Sequence, residues 1–127
     1  MAEPYLGILL IVENDRDTGD LFVFSLTGAG FRCVASATAE EALARTAVVR
    51  FDAILMDLGL PRRDDGIGLA RRLRAQAAPS PIIAVSGHEP PAGPERTLFA
   101  AYVRKPIDPE ELVAVVRRVL DDRQSPA

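Results

Sequence analysis

Residues 51–61 read FDAILMDLGLP, in which four apolar residues, Ala53–Met56, are followed directly by one acid, Asp57. A short apolar run bounded by polar and turn residues is typical of a strand that is buried on both faces of a parallel sheet. We therefore predict a central strand over Ala53–Met56 with Asp57 at its carboxyl end. Ligands of open parallel sheets bind outside the carboxyl ends of the strands, so Asp57 is a candidate functional residue.

Strand and helix patterns alternate on both sides of this stretch. The predicted strands are Tyr5–Val12, Phe31–Ser36, Ala53–Met56, Pro81–Val85 and Tyr102–Arg104. The predicted helices, with their caps, are Arg16–Ala29, Thr38–Val48, Gly66–Ala77 and Asp108–Asp121. This alternation predicts an α/β fold: a flavodoxin-like, doubly wound, five-stranded parallel sheet in the order 2-1-3-4-5, with helices on both faces.

The segment between the fourth and fifth strands is poor in helix-forming sequence, because residues 87–94 include three prolines. Each proline removes an amide donor and biases the residue before it away from helix. We predict that the helix expected here is missing or reduced to about one or two turns within Glu95–Ala101. Leu98 and Phe99 would anchor it, after an extended, mobile loop from His88 to Pro94.

Composition and charge limit the class of protein. With 127 residues and one cysteine, Cys33, we expect one domain over 1–127 with its core at 5–121. A lone cysteine excludes a disulfide framework and suits the cytoplasm. The longest apolar run, Leu6–Val12, is too short to cross a bilayer, and Met1–Pro4 has no positive charge typical of a signal peptide. A net charge of −3 argues against general nucleic-acid binding.

Polar residues follow four of the predicted strands, at the same edge of the sheet. They are Glu13, Asn14 and Asp15 after the first strand, Asp57 after the third, Ser86 after the fourth and Lys105 after the fifth. Lys105 is the only lysine in a chain whose other 14 basic residues are arginine. Carboxylate and amide oxygens suit Mg²⁺, and a carboxylate can attack phosphorus while cationic groups neutralise the phosphoryl oxygens. The set is therefore compatible with Mg²⁺ binding and with phosphoryl transfer to an acid.

The chain resembles the receiver domains of two-component response regulators, including the chemotaxis regulators, from Tyr5 to Leu120. The segments that carry the resemblance are ILLIVEND (8–15), FDAILMDLGLP (51–61), PIIAVSG (81–87) and YVRKP (102–106). The resemblance implies that Asp57 is the phosphoacceptor and that Ser86 and Lys105 contact the phosphoryl group. It also implies that Tyr102 is an aromatic switch and that the Lys105–Pro106 bond is cis. The Mg²⁺ ligands that it implies are Glu13, Asn14, Asp57 and the backbone carbonyl of Gly59.

The resemblance further implies a function and its partners. The donor would be the phosphohistidine of a sensor histidine kinase or a histidine phosphotransfer protein, with Mg²⁺ as cofactor. Phosphorylation would act through Ser86 and Tyr102 on a face that binds a downstream protein partner. Such a protein is not a classical enzyme, but a phosphoacceptor that promotes its own phosphorylation and dephosphorylation. We expect no output domain, no direct contact with nucleic acid or membrane, and a cytoplasmic location.

Three features depart from the family's pattern. Asn14 replaces the second acid of the metal-binding pair, so a direct ligand has lost its charge. The loop from Pro61 to Gly66 is longer than usual, and the stretch from Ser86 to Tyr102 is shorter. The first departure favours weak metal binding, and the last favours a reduced helix.

Other functions and roles remain open at this point. The chain could be a pseudo-receiver, an interaction module that stays unphosphorylated because Asn14 weakens the metal site. A flavodoxin would need Ser, Thr or Gly donors where Glu13–Asp17 is mostly anionic. A haloacid-dehalogenase-type phosphatase would need an acid at position 59, which is glycine. Glu13 and Asp15 could also simply begin the first helix, where acids favour the helix dipole.

Overall fold

The computed structural model describes residues 5–59, 63–76, 80–87 and 89–124, with the side chains of 63–65, 123 and 124 excepted. Five strands form one parallel sheet in the order β2-β1-β3-β4-β5, which confirms the predicted topology. The strands are β1 (Ile8–Val12), β2 (Arg32–Ser36), β3 (Ala53–Asp57), β4 (Ile82–Ser86) and β5 (Ala101–Arg104). The α-helices are α1 (Arg16–Gly28), α2 (Ala39–Thr46), α3 (Arg63–Gln76) and α4 (Pro109–Gln124).

Two apolar clusters, one on each face of the sheet, form the core. Side chains alternate across a strand. Accordingly, Leu55 of β3 belongs to the cluster that contains residues of α1 and α4, whereas Ile54 and Met56 belong to the cluster that contains residues of α2 and α3. β3 and β4 are buried along their whole length, as expected for strands covered on both faces. The sheet is therefore a rigid base for the residues at its carboxyl edge.

The helix starts follow from local capping. Asp15 caps α1 by accepting the Thr18 N–H at 2.9 Å, and Thr38 caps α2 by accepting the Glu41 N–H at 3.1 Å. Asp108 accepts the Glu110 N–H at 3.0 Å just before α4, as predicted from the sequence there. At Gly66 in α3 an added Cβ would lie 2.6 Å from the Leu58 backbone, so only glycine allows the helix to approach β3 this closely.

The predicted start of the first strand is wrong by three residues. β1 begins at Ile8, and Tyr5 and Leu6 are exposed rather than buried. The reason is a side-chain contact, because the Asp52 carboxylate accepts the Ile8 N–H at 2.8 Å at the point where pairing with β3 begins. The apolar run in the sequence is therefore longer than the strand.

The segment between β4 and β5 confirms the prediction of a short helix and corrects its form. It is a six-residue 3₁₀ helix over Gly93–Leu98, which begins two residues before the predicted Glu95. Pro94 fits there because it lies in the first turn, where an amide donor has no partner within the helix. Leu98 and Phe99 pack, partly buried, against the core, as predicted. Of the predicted loop 88–94, His88 lies outside the described residues, as do residues 61 and 62 of the lengthened Pro61–Gly66 loop.

Arginines tie this segment to its neighbours. Arg74 of α3 donates to the backbone oxygen of Ser80 at 2.9 Å and to that of Leu98 at 3.4 Å. Arg71 pairs with Glu95, and Arg104 pairs with Glu89, both at 2.8 Å. Arg74 is the most buried of the three arginines, and its burial lowers the pKa of its guanidinium. We infer that Arg74 contributes most to holding the 3₁₀ helix in place.

We expect Arg74→Met to lower the free energy of unfolding by about 1–2 kcal/mol, because two backbone oxygens lose a charged donor. Hydrogen exchange across 93–99 should accelerate in the same variant. Urea unfolding followed by circular dichroism measures the first effect. Arg72→Met, on the exposed face of the same helix, is the control and should change stability little. Equal effects of the two substitutions would contradict the role of Arg74.

Candidate functional site

The carboxyl edge of the sheet brings four of the predicted side chains to one place. Glu13 directly follows β1, Asp57 ends β3, Ser86 ends β4 and Lys105 directly follows β5. Because β1, β3, β4 and β5 are consecutive neighbours in the sheet, these ends lie side by side. Glu13, Asp57 and Ser86 are 7%, 8% and 1% exposed, respectively. The site is thus a mostly buried cluster of acids with one hydroxyl and one ammonium.

Lys105 connects the two acids. Its Nζ lies 2.9 Å from Oε1 of Glu13 and 3.6 Å from Oδ2 of Asp57. Its own backbone N–H donates to the Ser86 oxygen at 2.8 Å, which extends the pairing of β4 and β5 beyond Arg104. The Lys105–Pro106 peptide bond is cis, as the resemblance implied. The ammonium is therefore held over both carboxylates, and its shorter contact is to Glu13.

Glu13 is buried, which disfavours the ionised form of its carboxyl. Burial raises the pKa of its carboxyl, and the hydrogen bonds from Lys105 and from the Asp15 N–H oppose that rise. A raised pKa means that the folded protein holds this proton more tightly than the unfolded chain does. Ionising Glu13 therefore lowers the free energy of unfolding, and this loss develops as the pH rises through the pKa of Glu13 in the folded protein. Any further cation at Glu13 would offset this cost.

The backbone after β3 orients the Asp57 carboxylate. Oδ1 accepts the Gly59 N–H at 2.9 Å, while the Leu58 N–H donates to the Val85 oxygen at 3.1 Å. A Cβ at position 59 would make only an ordinary contact with Oδ1, at 3.4 Å, so the geometry does not require glycine there. One Asp57 oxygen is thus fixed by the backbone, and the other faces Lys105.

The residues after Glu13 have different roles. The Asp15 carboxylate accepts hydrogen bonds from both the N–H and the hydroxyl of Thr18, and these bonds lower its pKa. Asp15 is therefore a helix cap, one of the two roles left open by the sequence, whereas Glu13 is buried and paired with Lys105. Asn14 is exposed between them. Asn14 and Gly59 stay candidate metal ligands by position.

The donor set can be compared with what Mg²⁺ requires. Within the part of the chain that the structure describes, no three His, Cys, Asp or Glu side chains cluster in a way that could hold a metal. Glu13 and Asp57 provide two carboxylates close to Lys105, and the residue after Glu13, Asn14, carries an amide in place of a further acid. Mg²⁺ is commonly held by one or two carboxylates and keeps several waters. The residues present therefore fit Mg²⁺, but the site carries less negative charge than one with an acid at position 14.

Tyr102 lies in β5, three residues before Lys105. It pairs with Ala84 across β4 and β5 and packs, half-buried, against the apolar cluster on the α2 and α3 face. It also lines a cleft with Pro90, Pro91 and Phe99. Arg104 pairs with Ser86 across β4 and β5, and Tyr102 precedes Arg104 by two residues. The predicted switch residue therefore lies on the strand next to Ser86.

An apolar depression beside Lys105 was missed by the sequence reasoning. It has a volume of about 340 Å³ and is lined by residues of α1 and of the turn after β5, among them Leu21, Phe22 and Ile107. Leu21 and Phe24 are exposed on α1, opposite the buried Leu26. The signal that could have revealed it is the presence of apolar residues on two faces of α1, because one face suffices to pack on a sheet.

Comparison with known proteins decides the family. Residues 9–117 match the sequence profile of the response regulator receiver domain. The chain belongs to this family. None of the helices in the described part of the chain has the length and hydrophobicity that a membrane span requires.

Individual relatives of this receiver domain are consistent with the assignment. The DNA-binding response regulator MtrA of Mycolicibacterium smegmatis is 32% identical over 94% of this chain and 53% of its own length. The transcriptional regulatory protein PmrA of Pectobacterium parmentieri is 30% identical over 91% of this chain and 53% of its own length. The chain thus spans about half the length of these curated relatives. A CheY-like receiver domain from Methylobacillus flagellatus superposes with a TM-score of 0.80, at 32% identity, over 90% of this chain and 98% of that one.

Proposed function

We propose that this receiver domain accepts a phosphoryl group on Asp57 from the phosphohistidine of a sensor histidine kinase or a histidine phosphotransfer protein. The observation that carries the proposal is the position of Lys105, whose ammonium lies within 3.6 Å of Asp57 Oδ2 and 2.9 Å of Glu13 Oε1. Phosphoryl transfer needs an in-line nucleophile and neutralisation of charge on the transferred group. Asp57 supplies the nucleophile, and Lys105 supplies part of the charge.

In the proposed reaction, a carboxylate oxygen of Asp57 attacks phosphorus and forms a P–O bond. The P–N bond of the phosphohistidine breaks, and its electron pair returns to the imidazole. The Gly59 N–H keeps Asp57 Oδ1 in place during the attack, and the Lys105 ammonium turns from Glu13 towards a phosphoryl oxygen. The Ser86 hydroxyl, at the end of the neighbouring strand, donates to another. Water later hydrolyses the aspartyl phosphate.

We further propose that Mg²⁺ is the cofactor and that Glu13, Asn14, Asp57 and the backbone carbonyl of Gly59 hold it. When bound, the ion neutralises charge on the phosphoryl oxygens. Phosphorylation would then act through Ser86 and Tyr102 on the surface near β5, which a downstream protein partner would bind. Two of the relatives are transcriptional regulators about twice as long as this chain. Their length supports an output that is carried by a partner protein or by a further domain.

Binding of beryllium trifluoride, a mimic of the phosphoryl group, tests this function without a cognate kinase. We expect a protein-bound ¹⁹F signal that requires Mg²⁺ and that disappears in Asp57→Asn. A bound signal that persists in the variant, or that forms equally well in excess EDTA, would contradict the proposed site.

A second candidate function is favoured by Asn14. The amide brings no charge to the metal site, and the charge of the ligands strongly affects the affinity for hard cations. The domain would then be a pseudo-receiver that binds its partner without phosphorylation. Absence of any beryllofluoride or acyl-phosphate adduct at high Mg²⁺ would favour this function over the first.

The role of Asn14 is tested by Asn14→Asp, which we expect to tighten Mg²⁺ binding about tenfold, or by about 1.4 kcal/mol. The gain comes from the added carboxylate beside Glu13. A Mg²⁺ titration followed by NMR of the wild type and the variant measures it. Ala44→Asp, which adds the same charge on the exposed side of α2, is the control. Equal affinities of the wild type and Asn14→Asp would mean that Glu13 or Asp15 already supplies the charge.

A further inference from the structure

The apolar depression beside Lys105 adjoins the candidate site but takes no part in the reaction proposed for it. Its volume is about 340 Å³, and small-molecule sites commonly have volumes of about 300–1,000 Å³. One wall comes from α1 and the other from the turn after β5. The lining residues are Thr18, Leu21, Phe22, Lys105, Pro106 and Ile107. The depression is therefore large enough for a small molecule or for part of one.

The chemistry of the lining favours an apolar occupant. Only Thr18 and Lys105 have polar atoms in their side chains. The Thr18 hydroxyl already donates to the Asp15 carboxylate, and the Lys105 ammonium contacts the two acids of the site. Leu21 is 46% exposed, so apolar surface of the lining is open to solvent. An apolar group that covered this surface would be stabilised by each CH₂ that it buries.

Lys105 belongs both to the depression and to the candidate site. Its ammonium lies 3.6 Å from Asp57 Oδ2, and in the proposed reaction it turns towards a phosphoryl oxygen. Because attack on phosphorus is in line, the leaving group of the donor lies on the side of phosphorus opposite Asp57. When Lys105 holds the phosphoryl group, a chain on that leaving group is therefore within reach of the depression.

We propose that the depression binds the acyl chain of small acyl phosphates, so that this domain uses donors with an apolar acyl group as well as phosphohistidine. A carboxylate oxygen of Asp57 forms the new P–O bond. The bond between phosphorus and the bridging oxygen of the donor breaks, and its electron pair leaves with the carboxylate product. This donor specificity rests on the proposed function, since Asp57 must be the acceptor.

Acetyl phosphate and butanoyl phosphate test the specificity, because their leaving carboxylates have nearly the same basicity and differ by two CH₂ groups. Intact mass follows labelling of the wild type at fixed Mg²⁺ and varied donor concentration. We expect the second-order rate constant to be about tenfold higher for butanoyl phosphate, as burial of the two groups predicts. The gain should appear as a lower half-saturating concentration with an unchanged maximal rate, because the chain is bound equally before and during transfer.

Two matched variants locate the effect. Leu21→Asn places an amide in the depression, and Phe24→Asn makes a similar change at an exposed apolar residue of α1 that does not line it. We expect the ratio of the butanoyl to the acetyl rate constant to fall to about twofold in Leu21→Asn and to stay about tenfold in Phe24→Asn.

A measurement of binding alone complements the rates. The probe is 2-oxopentylphosphonate, an unreactive analogue of butanoyl phosphate in which CH₂ replaces the bridging oxygen. In ¹⁵N NMR spectra recorded with Mg²⁺, we expect shift changes at the residues of the two walls, 18–22 and 105–107.

The outcomes separate this specificity from the proposed function. Equal rate constants for the two donors in the wild type, or equal ratios in the two variants, would overturn the acyl site and leave the role of Asp57 intact. Analogue-induced shift changes that spare both walls of the depression would overturn the acyl site too. Labelling by neither donor would overturn both the acyl site and the proposed function.

Discussion

Asp57→Asn is expected to abolish phosphorylation of this chain completely. The amide has no nucleophilic carboxylate oxygen, and Asp57 is the acid at the end of β3 that faces Lys105. Intact mass after incubation with a small acyl phosphate and Mg²⁺ measures the effect, as the mass of one phosphoryl group present in the wild type and absent in the variant. Asp20→Asn, on the exposed side of α1, is the control and should label as fully as the wild type.

The Asp57→Asn variant should also fold, which separates loss of the acceptor from loss of structure. The substitution removes one of the two buried carboxylates at the site and leaves the Lys105–Glu13 pair intact. Urea unfolding should therefore give a free energy equal to that of the wild type or higher. Full labelling of the variant would contradict the assignment of Asp57 as the phosphoacceptor.

Lys105→Met is expected to have two effects of opposite sign. The rate of phosphorylation by an acyl phosphate should fall about a hundredfold, as is common when one preorganised group that stabilises developing charge is removed. Mg²⁺ affinity should instead rise, by about tenfold, because the ammonium of Lys105 competes with any other cation for Glu13 and Asp57. Both carboxylates lie within 3.6 Å of Nζ.

Labelling time courses and Mg²⁺ titrations measure these two effects in the same samples. Arg118→Met, on the exposed side of α4, is the matched control for loss of one positive charge. Lys105→Arg retains the charge and serves as a folded comparison if Lys105→Met is destabilised by its unpaired acids. A decrease in Mg²⁺ affinity in Lys105→Met would show that Lys105 supports the metal site rather than competing for it.

Much of the fold could be predicted because it depends on local sequence. Continuous apolar runs predicted β3 and β4, since strands covered on both faces need no polar side. Element limits were harder. β1 begins after Tyr5 and Leu6 because Asp52, 44 residues away from Ile8, takes the first amide. α3 begins at Arg63 rather than at the predicted Gly66, because its first turn contains no apolar residue to extend the periodicity.

The candidate site could be predicted as a set of residues but not as a set of contacts. The strand order alone placed Glu13, Asp57 and Lys105 together. Which acid lies closer to Lys105 depends on side-chain packing between β1 and β5, and the sequence contains no signal for that. Asp15 caps α1 because Thr18, three residues later, donates its N–H to the Asp15 carboxylate. This role depends on a local pattern that is present in the sequence. The cleft at Pro90 and Pro91 depends on how the 3₁₀ helix packs, which is again a tertiary effect.

The most direct test of the phosphoacceptor function is the intact mass of the wild-type chain after incubation with acetyl phosphate, in parallel with Mg²⁺ and with EDTA. Phosphorylation at a two-carboxylate site assisted by Lys105 predicts one added phosphoryl group with Mg²⁺ and almost none with EDTA. An unmodified mass in both samples, at Mg²⁺ concentrations that saturate Asn14→Asp, would contradict the phosphoacceptor function and leave the chain as a pseudo-receiver.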